Sequence, residues 1–191
     1  MSAKVVIVGV GALGSHLALL LRNVDADLVL VDFDRVEAKN VQAQFHTKMG
    51  LGKNKAAALQ QTLKGLFGRD VTAIPHRLGA ENVATLLGGA ALVVDCLDNA
   101  PSRQLVQDHV RAHGIACLHG ALAADGQFGR VIWDEDFAID GAAAGAATCE
   151  DGEHLPFVAR VAAELALAAQ RFLRDGKKVG AQLFPGGQVA V

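Results

Sequence analysis

The chain has 191 residues, enough for one α/β domain with a sizeable core. Hydrophobic residues make up 51% and aromatic residues only 5%, so that core is Val, Leu and Ala rather than rings. A net charge of -2 gives no electrostatic case for nucleic acid or an anionic membrane, and neither is expected as a partner.

The apolar run at 5–8 carries no alternating polar residue and reads as a buried parallel strand. It is too short for a secretory signal and breaks into Gly9-Val10-Gly11-Ala12-Leu13-Gly14, a GxGxxG loop. Gly9 suits the tight turn, Gly11 a close diphosphate, and Gly14 close packing of the helix on the sheet. An apolar helix follows to about Leu21, its N-terminus offering free N–H groups to phosphate oxygens. A second apolar strand at 28–31 runs into Asp32-Phe33-Asp34.

The polar, amide-rich segment 36–46 reads as a loop with a helical turn, and Gly50-Leu51-Gly52-Lys53-Asn54-Lys55 as a basic turn into a helix at 55–66. Residues 71–75 give a third strand and 81–87 a short helix. Residues 91–95 give a buried strand ending in Asp95-Cys96-Leu97-Asp98-Asn99. A helix at 101–113 carries Pro101 in its first turn. Strands follow at 115–119 and 126–133, the latter leaving the parallel order. The segment 134–151 is acidic, then little but Ala and Gly, and implies a mobile loop at about 134–155. A long amphipathic helix at 156–174 carries Arg160, Glu164 and Arg171, so it is no membrane span. Residues 177–191 add one or two closing strands, with Gly186-Gly187 as a hairpin turn.

This alternation predicts a Rossmann-like, doubly wound, mostly parallel sheet with antiparallel strands toward the C-terminus, in one domain over 1–191. Three widely spaced cysteines are neither a disulfide framework nor a zinc motif, and a cytoplasmic protein is expected. Cys96 and Cys117 sit in apolar strand contexts and read as small core residues. His46, His76, His109, His113 and His119 lack metal-ligand spacing and read as core or solvated histidines.

Three polar clusters fall beyond the carboxyl ends of strands, where an open parallel sheet binds its ligand. Asp32 can accept hydrogen bonds from a ribose, Lys55 can reach phosphate oxygens, and Asp98 suits magnesium, a hard cation. Each has a plainer alternative: Asp32 as a helix cap, Lys55 as a solvated charge, Asp98 as the cap of the helix near Pro101. Their grouping around one glycine loop favours a nucleotide site.

The order GxGxxG, Asp32-Phe33-Asp34-x-Val36-x-x-x-Asn40-x-x-x-Gln44, Gly52-x-x-Lys55, Asp95-Cys96-x-Asp98-Asn99, Gly120-Ala121 and Gly126-Gln127 resembles the E1-like activating enzymes of the ThiF/MoeB/HesA group. The resemblance spans about residues 5–173. It implies binding of ATP and Mg2+ and adenylation of the C-terminal carboxylate of a small ubiquitin-like or sulfur-carrier protein. By the same resemblance Gly9, Gly11 and Gly14 cradle phosphates and Asp32 binds the ribose. Asp34, Asn40 and Gln44 line the nucleotide, Lys55 holds phosphates, and Asp98 holds the metal. Cys149 matches a family thiol that takes over the acyl group or carries sulfur, although its acidic neighbours Glu150, Asp151 and Glu153 disfavour a thiolate. A homodimer is expected from the family habit, and a structural zinc is not, because its two Cys-x-x-Cys pairs are missing.

Two departures bear on activity. Ala43 stands where the family has an arginine, and only Lys4 precedes the first strand where many members carry a helix with arginines. Weak or partner-dependent adenylation is therefore expected, with a second subunit, Arg77 or Arg103 as sources of the missing cation. The rival readings are a non-catalytic, partner-binding subunit of the same fold and, last, an NAD-dependent oxidoreductase.

Overall fold

The structure is a computed structural model that describes residues 2–123, 125–139 and 154–190. Its centre is β1 (Ala3–Val8), buried on both faces: Val5 and Ile7 pack into one core, Val6 and Val8 into the other. Parallel to it lie β2 (Ala26–Val31) on one side and β4 (Leu92–Asp95) on the other. β3 (Thr72–Ile74) extends the sheet beyond β2, and β5 (Cys117–Leu122) extends it beyond β4, both parallel. β6 (Gly129–Trp133), β7 (Ala181–Phe184) and β8 (Gly187–Ala190) then add antiparallel strands, giving the order β3-β2-β1-β4-β5-β6-β7-β8. The expected doubly wound sheet with an antiparallel C-terminal part is present, and Gly187 pairs with Phe184 in the closing hairpin.

Helices α1 (Ala12–Leu20), α2 (Asn40–Ala43), α3 (Lys55–Phe67), α4 (Val83–Leu87), α5 (Ala100–His113) and α6 (Leu155–Asp175) connect or cover the strands. Asn54 caps α3 by accepting from Ala57 N, and Asn99 caps α5 by accepting from Ser102 N. α6 buries Val158, Val161, Ala162, Leu165 and Ala169 at helical spacing against α1 and the sheet. Gly120 permits that approach, since a Cβ there would stand 2.6 Å from Leu165 Cδ1.

The loop expected at about 134–155 begins later than its composition implies. Asp134–Asp136 forms a 3-10 turn, and Asp134 is buried and bonded to Arg111 and Gln107. An acidic residue reads as solvated in sequence; here its partners come from α5. Residues 140–153, and with them Cys149, lie outside the described residues. Among the described residues, no helix is long and apolar enough to cross a membrane.

Candidate nucleotide site

β1 has β2 on one side and β4 on the other, so the strand order reverses at its carboxyl end and leaves a crevice there. The glycine loop fills that end. Gly9 has φ +85°, and a Cβ on it would meet the Cys96 carbonyl at 3.0 Å. A Cβ on Gly14 would stand 1.9 Å from the Gly9 carbonyl, so no other residue fits. Gly11 is different: a Cβ there would meet only Gln44 Nε2, at 3.9 Å. Two glycines serve the backbone's own packing, and the third faces the crevice. α1 begins at that point without a side-chain cap, leaving its first amides for a ligand.

The loop is clamped through Val10. Its amide donates to Asp32 Oδ2 at 2.8 Å, and its carbonyl lies 2.9 Å from His46 Nε2. Asp32 Oδ1 also accepts from Asp34 N at 2.8 Å. Burial pushes the Asp32 carboxyl up, against the lowering effect of these backbone amides and Lys55. Asp32 is thus no helix cap: it organises the loop and still borders the crevice. His46 is buried and its pKa falls to about 4, chiefly through burial. Its Nδ1 has no hydrogen-bond partner among the described residues, which suits a neutral ring protonated at Nε2. Sequence reading missed this role, because a lone His in a polar loop carries no signal of its partner.

Lys55 opens α3 with its amide on the Asp34 carbonyl at 2.8 Å. Its side chain is buried along its stem, and Nζ reaches Asp34 Oδ2 at 3.3 Å, so it is not a solvated charge. Asn54 adds to the tie: its Nδ2 donates to the carbonyls of Asp32 and Asp34. An Asn before a helix is a cap signal, but its second bond was not legible. Asn40 is buried and accepts from Glu37 N at 2.8 Å, and Gln44 Oε1 is buried with no partner among the described residues. Both border the crevice. An orphaned acceptor beside Gly11 fits a ligand that brings a donor.

Across the crevice, Asp98 is exposed beyond β4. Asn99, not Asp98, caps α5, which leaves the Asp98 carboxylate toward the opening. Arg103 is committed elsewhere: it donates to the Leu97 and Gly120 carbonyls and pairs with Asp95 at 3.7 Å. Arg77 is exposed at the rim, its guanidinium 4.5 Å from the Phe33 ring centroid. Ala43 is buried and does not border the crevice. Cys96 differs from expectation, standing half-buried just after β4 at the crevice wall rather than in a strand. Cys117 is buried in β5 as expected. Burial raises both thiols. The crevice encloses about 680 Å³, a volume suited to a nucleotide, and brings together Gly11, Asp32, Asp34, Asn40, Gln44, Lys55 and Asp98. A smaller hollow of about 500 Å³ by His109 and His113 lies at the opposite strand ends.

A hard cation fits this donor set. Among the described residues no three His, Cys, Asp or Glu side chains converge as a metal cage. One exposed carboxylate, Asp98, across a crevice from a glycine loop is a donor set that would suit magnesium, which binds through one or two carboxylates together with phosphates and water.

The ThiF family model matches residues 1–170. Among curated proteins, the chain is 38% identical over 126 residues to a SAMP-activating enzyme E1 of Haloferax volcanii, covering 64% of this chain and 46% of that protein. It is 36% identical over 124 residues to a sulfur carrier protein ThiS adenylyltransferase of Bacillus subtilis, covering 62% and 37%. A sulfur carrier protein adenylyltransferase of Thermus thermophilus is 38% identical over 129 residues, covering 65% and 48%. The chain spans less than half the length of these relatives. In fold it is similar to E. coli MccB with ATP, at TM-score 0.77 and 15% identity over 99% of this chain and 62% of that one. The chain belongs to the ThiF family.

Proposed function

We propose that this ThiF-family chain binds ATP with Mg2+ in the crevice and adenylates the C-terminal carboxylate of a small ubiquitin-like or sulfur-carrier protein. The observation that carries the reading is the convergence of Gly11, Asp32, Lys55 and Asp98 at one topological switch point. Relatives named as adenylyltransferases of sulfur carriers support the substrate class.

The carrier carboxylate is already ionised at neutral pH, so the reaction needs alignment and charge neutralisation more than acid–base help. A carboxylate oxygen bonds to the α-phosphorus as the bond to the bridging oxygen breaks, releasing pyrophosphate. The α1 amides and Gly11 receive the phosphates, and Asp32 and Asp34 face the ribose side. Lys55 trades its Asp34 partner for phosphate oxygen. Asp98 would hold magnesium, which when bound neutralises the departing pyrophosphate. Cys149, outside the described residues, is assigned a later acyl or sulfur transfer. A cytoplasmic homodimer completes the reading, with Arg77 or a second subunit as the source of the cation.

The non-catalytic alternative draws on one observation: Ala43 is apolar and buried where the family carries a cation. ATP–pyrophosphate exchange with carriers ending in Gly-Gly decides between the two. Exchange that Lys55→Ala abolishes supports catalysis. Magnesium-dependent ATP binding without exchange, with any carrier, supports the partner-binding subunit; tight NAD binding without ATP binding ends both.

A further inference from the structure

Behind the crevice lies a buried polar chain that the proposed chemistry does not use. His119, in β5, is fully buried. Its Nδ1 lies 2.8 Å from Asp95 Oδ2, and its Nε2 lies 3.0 Å from Asp134 Oδ1. The ring stacks on Phe137, with centroids 3.9 Å apart at 16°. Asp95 ends β4, and its Oδ1 accepts from Leu97 N, inside the turn that presents Asp98. Asp134 opens the 3-10 turn, and the next residues, Phe137, Ala138 and Ile139, form one wall of the crevice.

The same two carboxylates are held from α5. Arg111 Nε donates to Asp134 Oδ2 at 2.7 Å, and Gln107 donates to Asp134 Oδ1 and the Phe137 carbonyl. Burial alone would raise the Asp134 carboxyl, but its bonds to Arg111, Gln107 and His119 outweigh that and hold it low. We propose that His119 is a positioning residue: by bridging Asp95 and Asp134 it fixes the 134–139 wall against the turn that carries Asp98.

A bridge through both ring nitrogens needs two protons, one in each contact, because each faces a carboxylate oxygen. The groups facing the ring are Asp95 from β4, Asp134 from the 3-10 turn, and Cys117 Sγ, 3.5 Å from Nε2 on its own strand. Arg103 and Arg111 stand behind the two carboxylates, and Glu135, beside Asp134, is paired with Lys178.

Backbone hydrogen exchange over 134–139, measured at one pH, reads the clamp without any ligand. His119→Ala should exchange about tenfold faster there than the wild type. His119→Gln, whose single NH2 can reach one carboxylate but cannot bridge both, should exchange at a rate between the two. Unchanged protection in His119→Ala overturns the proposal; so does wild-type protection in His119→Gln, which serves even if His119→Ala does not fold.

The functional arm rests on the ATP reading: the ATP dissociation constant of His119→Ala should rise about tenfold. Wild-type protein that binds no ATP would defeat that reading while leaving the exchange result to judge the clamp. Wild-type ATP binding that His119→Ala leaves unchanged, with the wall loosened, would overturn the link from wall to site.

Discussion

Asp32 Oδ2 accepts the Val10 amide at 2.8 Å, so the residue that follows β2 holds the middle of the glycine loop that follows β1. Its other oxygen takes Asp34 N, which shapes the turn beside Lys55. Both jobs precede any ribose contact. Asp32→Ala should therefore cost stability as well as nucleotide affinity, about 2–4 kcal/mol for two amides that lose a charged acceptor. Urea unfolding checks this. A variant of wild-type stability that merely fails to bind ATP would show that Asp32 acts on the ligand alone.

His46 holds the opposite side of Val10 as a neutral ring with its pKa near 4. The unfolded chain returns it to about 6.5, so between these values the unfolded state binds more protons and stability rises with pH. The span corresponds to about 3 kcal/mol, lost progressively as pH falls from about 6.5 to about 4. His46→Gln keeps a donor for the Val10 carbonyl but cannot titrate. Denaturant midpoints at about pH 7 and about pH 4.5 should separate for the wild type and nearly coincide, as far as His46 is concerned, for the variant. An identical pH slope in both would exclude His46 as the source.

The sheet was legible because its signals are local. Apolar runs at 5–8, 28–31 and 91–95 could not be half-solvated strands, and Gly and Pro marked where helices start. That Gly11, Asp32, Lys55 and Asp98 border one crevice was legible because strand ends of a doubly wound sheet must converge. What was hidden depends on partners far away in the chain. Asp134 looked like the start of a solvated acidic loop until α5 supplied Arg111 and Gln107. His119 and His46 looked like ordinary histidines because their bonds cross 24 and 36 residues. Cys96 read as strand core, yet β4 stops one residue earlier and places it at the crevice wall.

Cys96 is half-buried and Cys117 buried. Desolvation, joined by the nearby Asp95 charge, pushes the thiols of Cys96 and Cys117 up, so their thiolate fraction at neutral pH is small. Iodoacetamide under native conditions should therefore modify Cys149 before either of them, and peptide mapping reads the order. Cys96 labelled first would mean that the crevice wall opens enough to hydrate its sulfur. Labelling of Cys149 alone shows reactivity; a thioester or persulfide on it needs its own detection by mass.

The last prediction concerns the cation that Ala43 lacks. Ala43 is 1% exposed on α2 and turned away from the crevice, whereas the neighbouring Gln44 borders it. Arginine placed at 43 must force its stem through packed atoms, so Ala43→Arg should destabilise by about 1–3 kcal/mol before it helps catalysis. Arg103 is no substitute, since its guanidinium is spent on the Leu97 and Gly120 carbonyls. Arg77 is better placed: it borders the crevice, makes no ion pair among the described residues, and lies over Phe33, whose exposed ring orients the guanidinium. A fixed cation gains most against charge that develops as pyrophosphate departs. Arg77→Gln should slow pyrophosphate exchange about ten- to hundredfold with little change in unfolding midpoint, and Arg77→Lys should retain part of the rate. Arg103→Gln should instead lower the unfolding midpoint. If Arg77→Gln exchanges as fast as the wild type, Arg77 is not the cation, and the rate should then depend on protein concentration as a second subunit joins the site.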